Sequence, residues 1–166
     1  GIEDAINAVE SVNAHFGRTV YTLDIFGQVD AEYKERFSQL EKSFPDYISY
    51  GGAIEANKSV ETLKSYFTLL FPTYYKGEGF AGTLIDAMSA GVPVIASDWK
   101  YNPEFVVPGK TGVIIKNCNA ERLAEELINI AAAPEKWNSM RLSALKESEK
   151  YKPDIAARPL IDRING

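Results

Sequence analysis

A glycine-rich loop that runs directly into a helical pattern constrains the fold of this chain most strongly. The segment Glu78-Gly79-Phe80-Ala81-Gly82-Thr83-Leu84-Ile85-Asp86 carries two carboxylates with seven residues between them, and a valine-rich strand pattern follows from Val92 to Ser97. A loop, a helix and a strand in this order are typical of a parallel sheet covered by helices. The start of such a helix has unpaired backbone N–H groups and a partial positive charge, which together bind anions.

The residue types in this loop suit a ligand that carries both phosphate and hydroxyl groups. Gly82 lets the backbone approach a ligand closely, and Thr83 adds a hydroxyl at the start of the helix. Asp86 lies about one turn further along, where its carboxylate can accept two hydrogen bonds from a vicinal diol such as a ribose. The spacing alone leaves a second interpretation open, in which the loop only turns the chain and both acids are solvated.

The rest of the chain alternates between helical and strand patterns. Helices are expected over 2–16, 31–43 and 57–66 and in the motif. A further helix is expected after Asn119 as its N-cap, with the apolar residues Leu123, Leu127 and Ile128, and a last one from Pro134, with Trp137, Met140 and Leu145 facing inward. Strands are expected over 20–26, 47–50, 68–71, 92–97 and 113–115. This alternation predicts an α/β, doubly wound, Rossmann-like parallel sheet with ligands at the carboxyl ends of its strands. We expect one domain over 1–150 and a C-terminal helical tail over 151–166.

The composition argues against several classes of protein. The chain has 166 residues, 18 basic and 23 acidic, and its net charge of −5 disfavours broad attraction to nucleic acid. One histidine and one cysteine cannot form a usual zinc site, so no metal is expected. The single Cys118 excludes an intrachain disulfide and fits a reducing compartment. No apolar run approaches the roughly 20 residues that span a bilayer, and we interpret the chain as cytoplasmic.

A longer string of residues around the loop carries a resemblance to a known family. It consists of Pro72-Thr73, Glu78-Gly79-Phe80, Asp86-Ala87-Met88, Ala90-Gly91-Val92-Pro93-Val94-Ile95-Ala96-Ser97-Asp98, Pro103-Glu104-Phe105-Val106, Gly109 and Thr111-Gly112. In order and spacing this string resembles the signature of group 1, family 4-like glycosyltransferases of the GT-B fold. The resemblance implies the C-terminal, donor-binding domain of an enzyme that moves a sugar from a nucleotide-sugar to an acceptor, usually with retention of configuration and without a bound metal.

The resemblance also implies a role for each matching residue. Glu78 corresponds to the first acid of a paired-acid motif, beside the transferred sugar, and Asp86 to the second, which holds the ribose. Ile54 falls where the family packs the nucleobase. The remaining donor contacts would be the backbone of Gly79, Phe80 and Ala81 to the sugar and the amides of Gly82, Thr83 and Leu84 to the diphosphate. Asp86 replaces the usual glutamate, and Lys100-Tyr101 replaces a usual Gly-Gly, which puts the Lys100 cation near the donor.

The family pattern extends beyond the ends of this sequence. In the family, a strand and a loop with an arginine and a lysine precede the position of Gly1, and an acceptor-binding domain precedes both. We therefore expect a piece of a longer enzyme, the C-terminal half of a GT-B fold without its first strand. Alone it should be inactive as a transferase and prone to self-association through exposed sheet edges.

The predicted function is donor binding for a retaining glycosyltransferase. The donor would be a UDP- or GDP-sugar, with no other cofactor, and the acceptor a saccharide or lipid-linked saccharide bound by the other domain. Synthesis of bacterial surface polysaccharides is the role expected by analogy. Two alternatives stay open: a GT-B-fold enzyme of another reaction type, such as an epimerase, and a non-catalytic nucleotide-binding module.

Overall fold

The structure, a computed structural model, describes residues 1–165 and contains five parallel strands with helices between them. The strands are β1 (Leu23–Phe26), β2 (Ile48–Gly52), β3 (Leu69–Phe71), β4 (Val94–Ser97) and β5 (Gly112–Ile115). The helices are α1 (Ile2–Phe16), α2 (Lys34–Glu41), α3 (Ser59–Leu63), α4 (Gly82–Ser89), α5 (Asn102–Phe105), α6 (Ala120–Ala132), α7 (Pro134–Ser148), α8 (Pro153–Ala156) and α9 (Arg158–Asn165). The alternation predicted from the sequence is confirmed.

The strands form two sheets rather than the single sheet expected. β1 pairs with β2, while β4 lies between β3 and β5, and all pairs are parallel. Within the described residues β1 and β3 share no hydrogen-bonded ladder, although Leu23 of β1 and Leu69 of β3 line the same cavity. The sheet is therefore interrupted between β1 and β3 within the described residues.

The main cores lie on the two faces of the strands. α1 packs on α6, where Val9, Val12, Leu123 and Leu127 are buried in one cluster. On the other face, α4 packs on α7 in a cluster that includes Leu84 and Met88 of α4. Each fully buried aliphatic side chain contributes about 1.5–3 kcal/mol relative to an exposed one. β4 is buried along its whole length and supports the loops at its carboxyl end.

Side-chain capping explains one element boundary that was predicted correctly and one that was not. Asn119 caps α6 as predicted, because its side-chain oxygen accepts the amide of Arg122 at 2.9 Å. The strand expected from residue 20 begins only at Leu23. Asn13 is responsible, since its side-chain oxygen accepts the amides of Val20 and Tyr21 at 2.8 and 3.0 Å and removes them from any strand ladder.

Other local predictions need correction. The helix expected over 57–66 is a 3₁₀ turn, Ala56–Lys58, followed by the short α3. Leu145 was predicted to face inward, but its side chain is 42% exposed, whereas the neighbouring Ala144 is fully buried. The small side chain of Ala144 fits at this contact because α7 packs closely on α4. Helices α8 and α9 occupy most of the segment after residue 152. The domain boundary at 150 and the tail over 151–166, whose last residue lies outside the described residues, stay predictions.

Candidate functional site

The loop between β3 and α4 holds the first acid of the motif and is fixed by its own hydrogen bonds. The Thr73 hydroxyl donates to Oε2 of Glu78 at 3.0 Å and accepts the amide of Tyr75 at 3.2 Å. The amide of Glu78 donates to the carbonyl of Tyr75 at 3.1 Å. The partly buried Glu78 is therefore held at its backbone and at its carboxylate.

The turn after β4 holds the same loop from the side. The buried Ser97 donates its hydroxyl to the carbonyl of Thr73 at 2.7 Å, and the indole N–H of Trp99 donates to the carbonyl of Tyr75 at 2.8 Å. Asn102 in turn donates to the carbonyl of Ser97 at 3.1 Å. No role was predicted for Trp99, although an indole at the carboxyl end of a buried strand is a signal for one.

At the start of α4, the three amides expected to face a diphosphate differ in their hydrogen bonds. The amide of Gly82 donates to Phe80 and that of Leu84 to Ala81, each at 3.0 Å. The amide of Thr83 has no backbone acceptor within the described part of the chain. An anion that approaches this helix would thus meet the Thr83 amide and hydroxyl, together with the partial charge of the helix start.

Glycines in this region fall into two groups. Gly91 and Gly112 have φ of 68° and 157°, and an added Cβ at Gly112 would lie 2.0 Å from the carbonyl oxygen of Val94. The fold therefore requires glycine at both positions. Gly79 and Gly82 lack positive φ, and an added Cβ would meet no atom of the described residues within 4 Å. Neither backbone conformation nor packing within those residues explains glycine at 79 and 82, and the space beside them is open to a ligand.

A cavity of about 360 Å³ brings together residues from several separate segments. Thr83 of α4, Thr73 of the preceding loop and the partly buried Ile54 after β2 all line it, as does Gly1 at the start of α1. The structure thus brings Ile54, the predicted base contact, into one cavity with the start of α4. The lining residues of this cavity do not include Glu78, Gly79, Phe80, Asp86 or Lys100.

The other predicted site residues lie around the start of α4 and the end of β4. Asp86 is partly buried in the second turn of α4. Phe80 is 69% exposed and contacts Phe105 edge-on, with the ring centroids 5.1 Å apart. Lys100 is exposed in the turn after β4 with φ of 51°. This left-handed conformation is the one that glycine adopts most easily, which gives a physical reason for the usual Gly-Gly at this point.

Charge near the cavity is balanced at the start of α1. Glu3 lies in the first turn of α1, and Arg36 donates to both of its carboxylate oxygens at 2.7 and 2.6 Å. Hydrogen bonds from Arg36 and then Tyr33 lower the pKa of Glu3 to about 2. The Glu3 carboxylate at this helix start is thus paired with a cation.

The nearby Tyr74 and Cys118 serve the structure rather than chemistry. The Tyr74 hydroxyl donates to the carbonyl of Cys118, and burial is the main cause that raises the pKa of this phenol. Burial also raises the pKa of the Cys118 thiol and so disfavours the reactive thiolate. Among the described residues there is no cluster of histidine, cysteine and acidic side chains able to hold a metal ion.

Comparison with known proteins places this chain in a family. The family described as "Glycosyl transferases group 1" matches residues 1–147. The chain belongs to the group 1 glycosyl transferases. The family match includes the loop between β3 and α4, the whole of α4 and the turn after β4. The GT-B type of fold expected from the resemblance is confirmed, as is glycosyltransferase membership.

Individual relatives match smaller parts of the sequence or the fold alone. The UDP-N-acetylglucosamine–peptide N-acetylglucosaminyltransferase GtfA subunit of Streptococcus gordonii is 32% identical over 106 residues, which are 63% of this chain and 20% of that protein. The poly(glycerol-phosphate) alpha-glucosyltransferase of Bacillus subtilis is 27% identical over 134 residues, 78% of this chain and 19% of that protein. This group 1 chain therefore spans about a fifth of the length of these relatives.

A solved structure matches most of this group 1 chain. The crystal structure of the C-terminal domain of a glycosyl transferase group 1 family protein, LpcC, from Francisella tularensis superposes with a TM-score of 0.75 at 18% identity, over 92% of this chain and 80% of that one. At this identity the likeness concerns the fold. Across residues 1–165, none of the helices combines the length and apolarity needed to cross a membrane.

Proposed function

We propose that this chain is the donor-binding domain of a retaining glycosyltransferase that uses a UDP- or GDP-sugar. The observation that carries the proposal is the open space at Gly79 and Gly82 beside the start of α4, since nothing within the described residues requires glycine there. Membership of the group 1 family supports the class of reaction. A helix start with an unengaged Thr83 amide supports a phosphate ligand.

Each group of residues then has one task in holding the donor. The amide and hydroxyl of Thr83 bind the diphosphate, and the Lys100 ammonium adds charge from the turn after β4. Ile54 packs against the base, and Asp86 accepts hydrogen bonds from the ribose. The backbone of Gly79, Phe80 and Ala81 contacts the sugar hydroxyls. Oriented dipoles at the helix start stabilise the charge that develops on the departing nucleoside diphosphate, so no metal or other cofactor is required.

Glu78 positions the transferred sugar and does not act as an acid or a base. We expect Glu78→Gln in the whole enzyme to keep its affinity for the nucleotide and to lose rate, because the nucleotide lies on α4 while the carboxylate meets the sugar. Glu121→Gln, exposed at the start of α6, is the matched control. An equal loss of UDP binding in Glu78→Gln would contradict the assignment.

The whole protein supplies what this domain lacks for turnover. This chain spans about a fifth of its relatives' length, and we assign the acceptor, a saccharide or a lipid-linked saccharide, to the remainder. Two relatives bear names of enzymes that glycosylate a peptide and a glycerol-phosphate polymer, which supports a role in building surface glycans. Because a buried free thiol suits a reducing compartment, we propose that the domain lies in the cytoplasm.

Titration of UDP, GDP and ADP, followed by calorimetry, tests the donor proposal directly. The titrations are made into this chain and into the gene product carrying whatever coding sequence precedes residue 1. Selective binding of one nucleotide by either protein supports a donor site. If neither protein binds any of the three, the donor proposal is wrong and a non-catalytic interaction module becomes the better interpretation.

A further inference from the structure

We propose that Thr73 is a positioning residue that orients Glu78 toward the donor sugar, an inference that rests on the proposed donor site. Thr73 precedes Glu78 by five residues and belongs to a different part of the loop. Its contact with the acid is made through one hydroxyl, which donates to Oε2 at 3.0 Å. Within the described residues Oε1 accepts no hydrogen bond, so that oxygen is left to a sugar hydroxyl.

The Thr73 hydroxyl makes a second hydrogen bond, in which it is the acceptor. A threonine hydroxyl has one proton and two lone pairs. The amide of Tyr75 donates to one of these lone pairs at 3.2 Å, which leaves the proton to be directed at Glu78. Because a carboxylate only accepts hydrogen bonds, the proton between Thr73 and Glu78 belongs to the Thr73 hydroxyl, which keeps one lone pair for the Tyr75 amide.

Thr73 is itself fixed from the core of the domain. Its carbonyl accepts the hydroxyl of Ser97, a side chain only 2% exposed at the end of β4. The side-chain amide of Asn102, a residue 1% exposed, in turn donates to the carbonyl of Ser97. These hydrogen bonds connect buried residues of β4 and α5 to Thr73, and Thr73 to Glu78. The position of the acid is therefore fixed relative to the sheet.

The benefit of this arrangement is preorganisation. A glutamate side chain has several rotatable bonds, and ordering it upon ligand binding costs conformational entropy. If the Thr73 hydroxyl has already ordered the carboxylate, the sugar does not have to do so. The effect should therefore concern the sugar part of the donor and leave the nucleotide part unaffected.

Three variants separate positioning from a general structural role. Thr73→Val removes the hydroxyl at nearly constant shape, Thr73→Ser keeps it, and Glu78→Ala removes its partner. Each is titrated in the full chain with UDP, UDP-glucose, UDP-N-acetylglucosamine, GDP and GDP-mannose, with ¹⁵N chemical shifts as the readout so that millimolar affinities are measurable. We expect Thr73→Val to lose about tenfold in affinity for the nucleotide-sugar that binds and none for the bare nucleotide. Thr73→Ser should restore the affinity.

The outcomes distinguish this inference from the donor proposal on which it rests. Unchanged nucleotide-sugar affinity in Thr73→Val, with the unsubstituted chain binding normally, overturns the positioning role alone. Equal losses for nucleotide and nucleotide-sugar in both Thr73 variants also overturn it, because the loop has then simply lost its structure. In the Glu78→Ala background Thr73→Val should have no further effect, and an additive loss would refute action through Glu78. If the unsubstituted chain does not bind, the same variants are made in the gene product that carries the preceding coding sequence, and absence of binding there as well overturns the donor proposal and this inference together.

Discussion

Replacing Gly82 with alanine separates what the fold needs from what the ligand needs. Gly82 is the first residue of α4, it lacks positive φ, and a Cβ added there meets no atom of the described chain within 4 Å. The folded domain can therefore accept the methyl group without strain. If a diphosphate lies against this backbone, the same methyl group occupies its space.

We expect Gly82→Ala to raise the free energy of unfolding and to weaken nucleotide binding. A Gly→Ala change at a compatible position stabilises a protein by about 0.4–1 kcal/mol, chiefly by reducing the entropy of the unfolded chain. For a domain of this length that corresponds to a rise in Tm of roughly 1–4 °C. Displacing a diphosphate by the radius of a methyl group should cost about 1.4 kcal/mol or more, which is at least tenfold in the Kd for UDP or GDP.

Two measurements on three proteins test this reasoning. Urea unfolding gives the stability, and nucleotide titration gives the Kd, for the unsubstituted chain, Gly82→Ala and Gly91→Ala. Gly91 has φ of 68° and its added Cβ would lie 3.1 Å from Cγ of Leu145, so this control should lose stability and keep the Kd of its folded fraction. A Gly82→Ala variant that is destabilised, or that binds the nucleotide as well as the unsubstituted chain, refutes the proposed reason for glycine at 82.

Three further predictions address charge, strain and association. Lys100→Gly should raise the free energy of unfolding by roughly 0.5–1 kcal/mol, because relief of the left-handed strain at residue 100 exceeds the added entropy of the unfolded chain. The same substitution should weaken UDP binding, and unchanged binding would contradict the role of the ammonium. Glu3→Gln should lower the urea midpoint at pH 7. Since the pKa of Glu3 is lowered to about 2, that difference should disappear as the pH falls from about 4.3 toward 2, and a difference that persists at low pH would be inconsistent with the Arg36 pair. The open edges of β1 and β3 should give a weight-average mass that rises with concentration in sedimentation, and a monomer at every concentration would argue against edge pairing.

Local signals in the sequence were sufficient for most elements of the fold. The apolar stripe of α1, the Asn119 cap and the run of β4 depend on neighbours within a few residues, and all three were predicted. The start of β1 was not, because it depends on the side chain of Asn13 on another element. The exposure of Leu145 likewise depends on how closely α7 approaches α4, which no local pattern describes.

In the candidate site, too, features that depend on near neighbours in sequence were predicted and contacts between distant residues were not. The loop and its acids were predicted from their spacing together with the family resemblance, since a glycine-rich segment before a helix is a local pattern. The hydrogen bonds from Ser97 to Thr73 and from Trp99 to Tyr75 join residues 24 apart in sequence and were not predicted. Such contacts depend on the parallel register of β3 and β4, which becomes visible only when the strands are paired.

The departures from ordinary local rules within this domain concentrate at one place. Lys100 holds a left-handed conformation without being glycine, while Gly79 and Gly82 are glycines without a conformational or packing reason in the described chain. All three follow the carboxyl ends of β3 and β4, where a parallel sheet binds its ligands. Strain and unexplained glycines persist when something other than folding requires them. The donor site that we propose between the start of α4 and the turn after β4 would account for all three departures at once, and no interaction within the described residues does so.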